Sequence, residues 1–303
     1  MGVLRRGSQE VTARVAAARE VRVRSWAHTF WNLALRAFWT AVAALGSVVF
    51  ALPFVWMIST SVKPRWEQLV MPPKWIPSTF VWDNYIEPFR TRPFAAWYMN
   101  TLVLVVCNVT GVLLSSSLVA FAFARIQFRG RNVLFLILLS TMMLPGQVTM
   151  IPVYYMFSKL GWVDSLRPLI VPSFFGAPFY IFLLRQFFLT IHPELDDAAE
   201  IDGCSLFGVY WRIILPLSKP ALGVVAIYEF TYNWNDFFGP LIYVNTPSKF
   251  PVALGLRFFQ TRTDPQIGQT MAMTFVSIIP VLLVFYLAQR RFVQGIVVSG
   301  VKG

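Results

Sequence analysis

The residues best placed to do chemistry lie in one polar stretch, Ile191 to Pro220, which reads IHPELDDAAEIDGCSLFGVYWRIILPLSKP. Its acids Glu194, Asp196, Asp197, Glu200 and Asp202 outnumber Arg212 and Lys219. Carboxylates in such a cluster could move protons, bind a metal or dock a basic partner. The first two uses need further groups at useful spacing, and the chain does not supply them. His28 and His192 are far apart and lack ligand spacing. Cys107 falls inside an apolar run and Cys204 in the polar stretch, which supports neither a disulfide framework nor a cysteine metal site. No nucleophile–base pair stands out, and no Gly-rich loop ending in GK[ST] is present to cradle ATP. The expectation is no catalytic residue, no metal and no directly bound cofactor. The acid cluster then points to a basic protein surface.

A second set of polar residues sits in or beside apolar runs: Asn100, Asn108, Glu229, Asn233, Asn235 and Asp236. Ionisable groups at membrane depth are functional by default, so these are candidates for a solute path or for an interface between membrane subunits. Packing and helix capping are the plainer roles for each of them.

Both sets need elements to hold them, and composition says what these are. The chain has 303 residues, 56% of them hydrophobic and 13% charged, with a mean hydropathy of +0.59. That is too little polar surface for a soluble globule of this size, so lipid must be part of its solvent. About 20 mostly apolar residues cross a bilayer as a helix. Runs near 37–60, 98–123, 133–157, 168–190, 218–241 and 268–289 reach that length. The fold class expected is an all-α polytopic membrane protein with about six transmembrane helices, since the alternation of a barrel is absent. Pro53, Pro145, Pro152, Pro172, Pro178 and Pro280 fall inside these runs, where each removes a hydrogen bond and can bend its helix.

The net charge of +12 forms no basic face, so nucleic acid is not an expected partner. The cations read as topology signals. Arg125, Arg129 and Arg131 crowd one short connection, Arg290 and Arg291 follow the last run, and the leader carries Arg5, Arg6, Arg14, Arg19, Arg22, Arg24 and Arg36. Both termini and Asn132 are expected in the cytoplasm, with Asp164 and Asp264 outside. The segment from Ser61 to Trp97 then faces outward. Its many Pro and Trp residues suit an irregular stretch at the membrane surface.

The acidic stretch predicts a short helix begun by Pro193, with Leu195, Ala198 and Ala199 on one face. A turn at Asp202 and Gly203 follows. Ser205 caps a second helix through Phe207 and Tyr210 to Ile214, before Leu215 and Pro216 lead back to the membrane. The result is a cytoplasmic elbow between the fourth and fifth spans.

The spacing Asp197-Ala198-Ala199, three residues, Gly203, nine residues, then Ile213-Ile214-Leu215-Pro216 resembles the EAA loop of permease subunits in binding-protein-dependent ABC importers. Asp197 replaces the family's usual Glu and keeps the carboxylate. Asn233-Trp234-Asn235-Asp236-Phe237, Gly239-Pro240-Leu241, Phe250-Pro251-Val252 and the tail from Gln289 to Gly303 resemble the maltose-type carbohydrate branch.

The arginines give a basic cytoplasmic leader at 1–36, where the resemblance is weakest; the resemblance implies an importer transmembrane domain at 37–290 with its EAA loop at 191–220, and a cytoplasmic tail at 291–303. It also implies that Glu194, Asp197, Ala198, Ala199, Asp202, Gly203, Ile213, Leu215 and Pro216 couple the chain to an ATPase. The partners implied are a second permease that makes most sugar contacts, an ATPase dimer that uses ATP and Mg, an external solute-binding protein, and the lipid of a bacterial inner membrane. Glycerol phosphate or a polyol is the alternative solute. A secondary transporter would show inverted repeats, and no clear internal repeat is visible.

Overall fold

The computed structural model describes the backbone of residues 3–259 and 266–300 and the side chains of residues 31–259 and 266–288. The leader arginines Arg5, Arg6, Arg14, Arg19, Arg22 and Arg24, the side chains of the tail 291–303, and Asp264 lie outside the described residues. The chain divides into two units, Met1–Met57 and Ile58–Gly303. The first unit is helical. Helix α1 runs Val3–Ser61 with Pro53 inside it, and its described side chains from 31 to 57 are almost all exposed and largely apolar, as a helix bathed in lipid requires.

The second unit is built around α3 (Phe94–Arg125), a continuous helix of 32 residues. Before it stand α2 (Asp83–Thr91) and an irregular segment with one 3₁₀ turn at Arg65–Glu67. After it come α4 (Arg131–Ser140), α5 (Gly146–Lys159), α6 (Arg167–Ile170), α7 (Pro178–Leu189), α8 (Glu194–Ile201), α9 (Leu206–Val209), α10 (Leu215–Leu217), α11 (Lys219–Asn235), α12 (Phe238–Tyr243), α13 (Val252–Gly255) and α14 (Ile267–Gly300). Among the described residues, four helical stretches are long and apolar enough to cross a membrane: Trp31–Ser61, Phe94–Arg125, Arg167–Leu189 and Ile267–Ala288. Two bent pairs raise the number to six if each pair is one span.

Bent helices were expected from the prolines, and the bends fall at particular places. The third run breaks at Leu144, whose backbone is extended ahead of Pro145, and α4 and its 3₁₀ extension meet α5 at 97°. The fourth run is interrupted by a 3₁₀ turn at Val171–Phe175 and by Gly176 at φ +85°; Pro178 then opens α7. The fifth run was expected to reach residue 241, but α11 ends at Asn235. Asp236 turns extended, and its Oδ1 accepts the Gly239 amide at 3.1 Å, starting α12 instead. Pro53, Pro152 and Pro280 lie within helices.

Broken helices expose backbone groups that lipid cannot satisfy. Serines on α3 meet some of this need: Ser115 Oγ donates to the Ser173 carbonyl at 2.9 Å and Ser116 Oγ accepts the Ala177 amide at 3.1 Å. Two apolar cores sit toward opposite ends of α3. One joins Phe121, Phe123, Phe135, Leu184, Phe188, Tyr210 and Ile214, and the other joins Phe94, Trp97, Phe157, Phe250, Phe259 and Met273.

An exposed elbow and a bolted polar row as candidate sites

The elbow begins at α8, whose first turn carries Glu194, Asp196 and Asp197, where acids suit the positive end of the helix. It closes at Gly203, whose φ of +80° lies in the left-handed region that favours glycine. Ser205 caps α9, its Oγ accepting the Gly208 amide at 3.2 Å. Tyr210–Ile214 is a wide π turn, and helix continues through Pro216 to Leu217, beyond the expected end at Ile214. The chain then bends by 76° into α11.

The expected shared face of Leu195, Ala198 and Ala199 divides in two. Ala199 is buried in the core formed with Phe121, Leu184, Tyr210 and Ile214, while Leu195 and Ala198 are exposed. Successive helical positions differ by about 100°, so the two alanines cannot serve one surface equally. Ala199 lets α8 pack closely, and Ala198 is left for a partner.

Glu194, Asp197, Asp202, Gly203 and Pro216 are exposed, whereas Ile213 and Leu215 are half-buried. Beside them Ile201 is 87% exposed, and Leu206, Phe207 and Trp211 are open as well. Sequence reasoning did not single out Ile201, because one apolar residue in a polar stretch has no pattern of its own. An apolar patch ringed by acids has the make-up of a docking surface.

Arg125, read from sequence as a topology charge, reaches this elbow. Its Nη2 donates to the Ile191 carbonyl at 2.8 Å, and its Nε lies 3.1 Å from Asp196 Oδ2 as an ion pair. Burial pushes the Asp196 carboxyl up from its usual range, and Arg125 opposes that shift.

The polar residues of the spans are disposed differently. Asn108 Nδ2 donates to Asn233 Oδ1 at 2.5 Å, and Asn233 Nδ2 donates to the Glu229 carbonyl at 2.9 Å and to its Oε1 at 2.7 Å. All three residues are buried. Asn100 Nδ2 donates to the carbonyls of Ser248 and Phe250 at 3.0 and 3.1 Å, fixing the outer segment to α3. These side chains bolt elements together. Asn235 and Asp236 stand apart from them and line an open groove of about 590 Å³ with Tyr228, Thr231, Tyr232, Phe237 and Phe238.

On the expected outer side, Asp164 accepts the amides of Asn245 and Thr246 and pairs with Lys249 at 2.8 Å, all of which hold its carboxyl below the usual carboxylate range. Glu67, held by Lys74 and the Ser78 amide, is lowered to about 2. Among the described residues no group of three or more His, Cys, Asp or Glu is placed to hold a metal ion.

Comparison with known proteins adds four findings. The family described as binding-protein-dependent transport system inner membrane component matches residues 111–298. A putative ABC transporter permease protein, ORF2, of Caldicellulosiruptor sp. is 34% identical over 90% of this chain and 97% of its own length. The arabinooligosaccharides transport system permease protein AraQ of Halalkalibacterium halodurans is 35% identical over 75% of this chain and 81% of its own. In fold, the chain is similar to a chain of a bacterial ABC transporter involved in the import of the acidic polysaccharide alginate, with a TM-score of 0.73, 23% identity, and coverage of 84% of this chain and 96% of that one.

Proposed function

We infer that this chain, which belongs to the binding-protein-dependent transport system inner membrane component family, carries a sugar-like solute across the membrane and is driven through the elbow at residues 194–217. As a member of that family it is a multi-pass permease subunit of the inner membrane and not an enzyme; ATP is hydrolysed by separate subunits. The saccharide reading draws on the likeness to AraQ. It also draws on the groove at Tyr228, Tyr232, Asn235 and Asp236, where aromatic faces stand beside hydrogen-bonding groups. A second permease completes the path, an external binding protein delivers the solute, and an ATPase dimer using MgATP seats the elbow. Residues 1–36 form a cytoplasmic leader, 37–290 the transmembrane domain, and 291–303 a tail that reaches the ATPase subunits. Both termini are cytoplasmic.

The observation that carries the coupling role is the exposed surface of the elbow. Ala198 is small and open, Ile201 and Phe207 are apolar and open, and the turn that angles them is fixed by Gly203 and the Ser205 cap. The test is Ala198→Asp, measured for membrane insertion, ATPase copurification and solute uptake. A new unpaired carboxylate buried at the interface costs on the order of a few kcal/mol. Insertion should therefore persist while docking or coupling fails. Normal uptake and normal hydrolysis would remove the elbow from the mechanism. Cysteines at 132 and 164 test the topology: external labelling should reach 164 and not 132, and the reverse would invert it.

A further inference from the structure

We propose that Arg125 is the positioning residue that sets the angle of the elbow against the membrane part of the chain, and that α3 acts as a strut carrying elbow displacement to the outer segment 247–252. The proposal rests on the elbow being the coupling element. Arg125 is the last residue of α3. Its two contacts straddle the hinge at His192 and Pro193: Ile191 lies just beyond α7, and Asp196 lies in the first turn of α8. One guanidinium therefore fixes the direction in which α8 leaves α7. A lysine ammonium, a single point of charge, can replace only part of this, because it cannot place one nitrogen on the Ile191 carbonyl and another beside Asp196 at the same time.

The pair is poorly hydrated, with side-chain exposures of 8% for Arg125 and 18% for Asp196; Arg125 Nε and Asp196 Oδ1 are both buried without a hydrogen-bond partner, so the two groups are joined by charge alone. Buried ion pairs are weak sources of stability, because desolvation offsets much of their attraction. Here the pair defines a geometry. A second tie from the same helix supports it, since Ser117 Oγ and the Tyr210 hydroxyl are 2.8 Å apart, linking α3 to the second half of the elbow.

The far end of α3 is held as firmly. Trp97 Nε1 donates to the Pro247 carbonyl at 2.6 Å, Asn100 Nδ2 to Ser248 and Phe250, and Thr101 Oγ1 accepts the Val252 amide at 2.8 Å. From Thr101 to Arg125 the helix rises about 36 Å. No proline or break interrupts it, whereas the third run is bent by 97° and the second half of the elbow meets α11 at 76°. Displacement at the elbow would be absorbed in those bends; along α3 it has no bend to enter.

The experiment uses the assembled importer in proteoliposomes and compares Arg125→Gln, Asp196→Asn, the double variant and Arg125→Lys. Each single variant should lower uptake about tenfold, within the usual range of coupling between sites. The subunits should still copurify, and hydrolysis should continue without responding to loaded binding protein. The double variant should be no worse than either single one, because both remove the same contact. Arg125→Lys should fall between wild type and Arg125→Gln.

A cysteine at Ser248, which is exposed, should change accessibility when the ATPase closes in the wild type but not in Arg125→Gln. Unchanged uptake in both single variants, multiplying effects in the double, or a retained change at Ser248 would each overturn the proposal. If Arg125→Gln does not assemble, the nearly isosteric Asp196→Asn decides, and normal coupling there overturns it. Ala198→Asp separates this idea from its premise. If Ala198→Asp uncouples and Arg125→Gln does not, the clamp is wrong and the elbow stands. If Ala198→Asp is silent, the premise itself fails.

Discussion

The elbow and the polar row of the spans use the same kinds of side chain and turn them in opposite directions. Around α8, carboxylates and small residues point outward, and only Asp196 and Ala199 face the body of the protein. In the spans, Asn108, Glu229 and Asn233 are buried and bond one another in a row, with Asn108 Oδ1 the one oxygen of the two asparagines left without a partner. Polarity alone therefore says little about role in a membrane chain. A polar group that has spent its hydrogen bonds on its neighbours stiffens the protein, and one left open beside an apolar patch is available to a partner.

The sharpest way to break this contrast is to damage one region and measure the other. Ile201→Glu should abolish ATPase copurification, a loss of a few kcal/mol for an anchor at a desolvated contact, while the thermal unfolding midpoint of the isolated subunit stays unchanged. Asn108→Leu should do the reverse. It strands Asn233 beside Glu229 at a cost of about 1–3 kcal/mol, lowering the midpoint while the ATPase still binds. If either variant fails both measurements, the two regions are not separable.

Gly203→Ala is a milder probe of the elbow. Nothing lies within 4 Å of the added Cβ, so the penalty is the φ of +80° alone, about 1–2 kcal/mol. It should weaken ATPase affinity less than Ile201→Glu does, and an equal or larger loss would mean that the turn contributes more than an angle.

The smallest effects come from pH, and they run in opposite directions at two carboxylates outside the spans. Glu67 has a folded pKa depressed to about 2 by Lys74 and Ser78. Its contribution is present above the unfolded value of about 4.3 and fades as pH falls toward 2. Trp66, exposed next to it, should report loosening of the outer segment over that window by its fluorescence. Asp196 has a raised folded pKa, chiefly from burial. Its charged form opposes folding, and that opposition is relieved as pH falls through the raised value. A proteolysis-resistant elbow should therefore outlast the outer segment during acid titration. Earlier loss of the elbow would reverse the assignment.

The apolar runs were legible because length and hydropathy need no partner to be read. So was the start of α8 at Pro193, the Gly203 turn and the Ser205 cap, all of which are set by residues within a few positions of one another. The family resemblance carried by 197–216 was legible for the same reason. What was not legible depends on distant pairs. Arg125 meets Ile191 66 positions away, and Asn100 meets Phe250 150 positions away, so one was read as a topology charge and the other as a candidate for the solute path. The break at Leu144 was half legible. Pro145 marks it, but Pro152 and Pro280 carry the same signal and lie within helices, since whether a proline breaks a helix depends on who satisfies the freed carbonyl.

The wide turn at Tyr210–Ile214 has a consequence for ancestry and engineering. A π turn is an α-helix that has taken in one extra residue without forming a loop. Removing one residue there would restore ordinary winding and rotate the helix by about 100° as far as its break after Leu217. Ser218, now buried at that break, would be turned out of the core, and α11 would have to be re-entered from a new angle. Most insertions lengthen a surface loop and leave neighbouring faces alone, but here a single codon is stored as rotation. Transplanting residues 194–217 from a relative that differs by one residue at this point would change how the chain enters α11, even though every transplanted side chain matched.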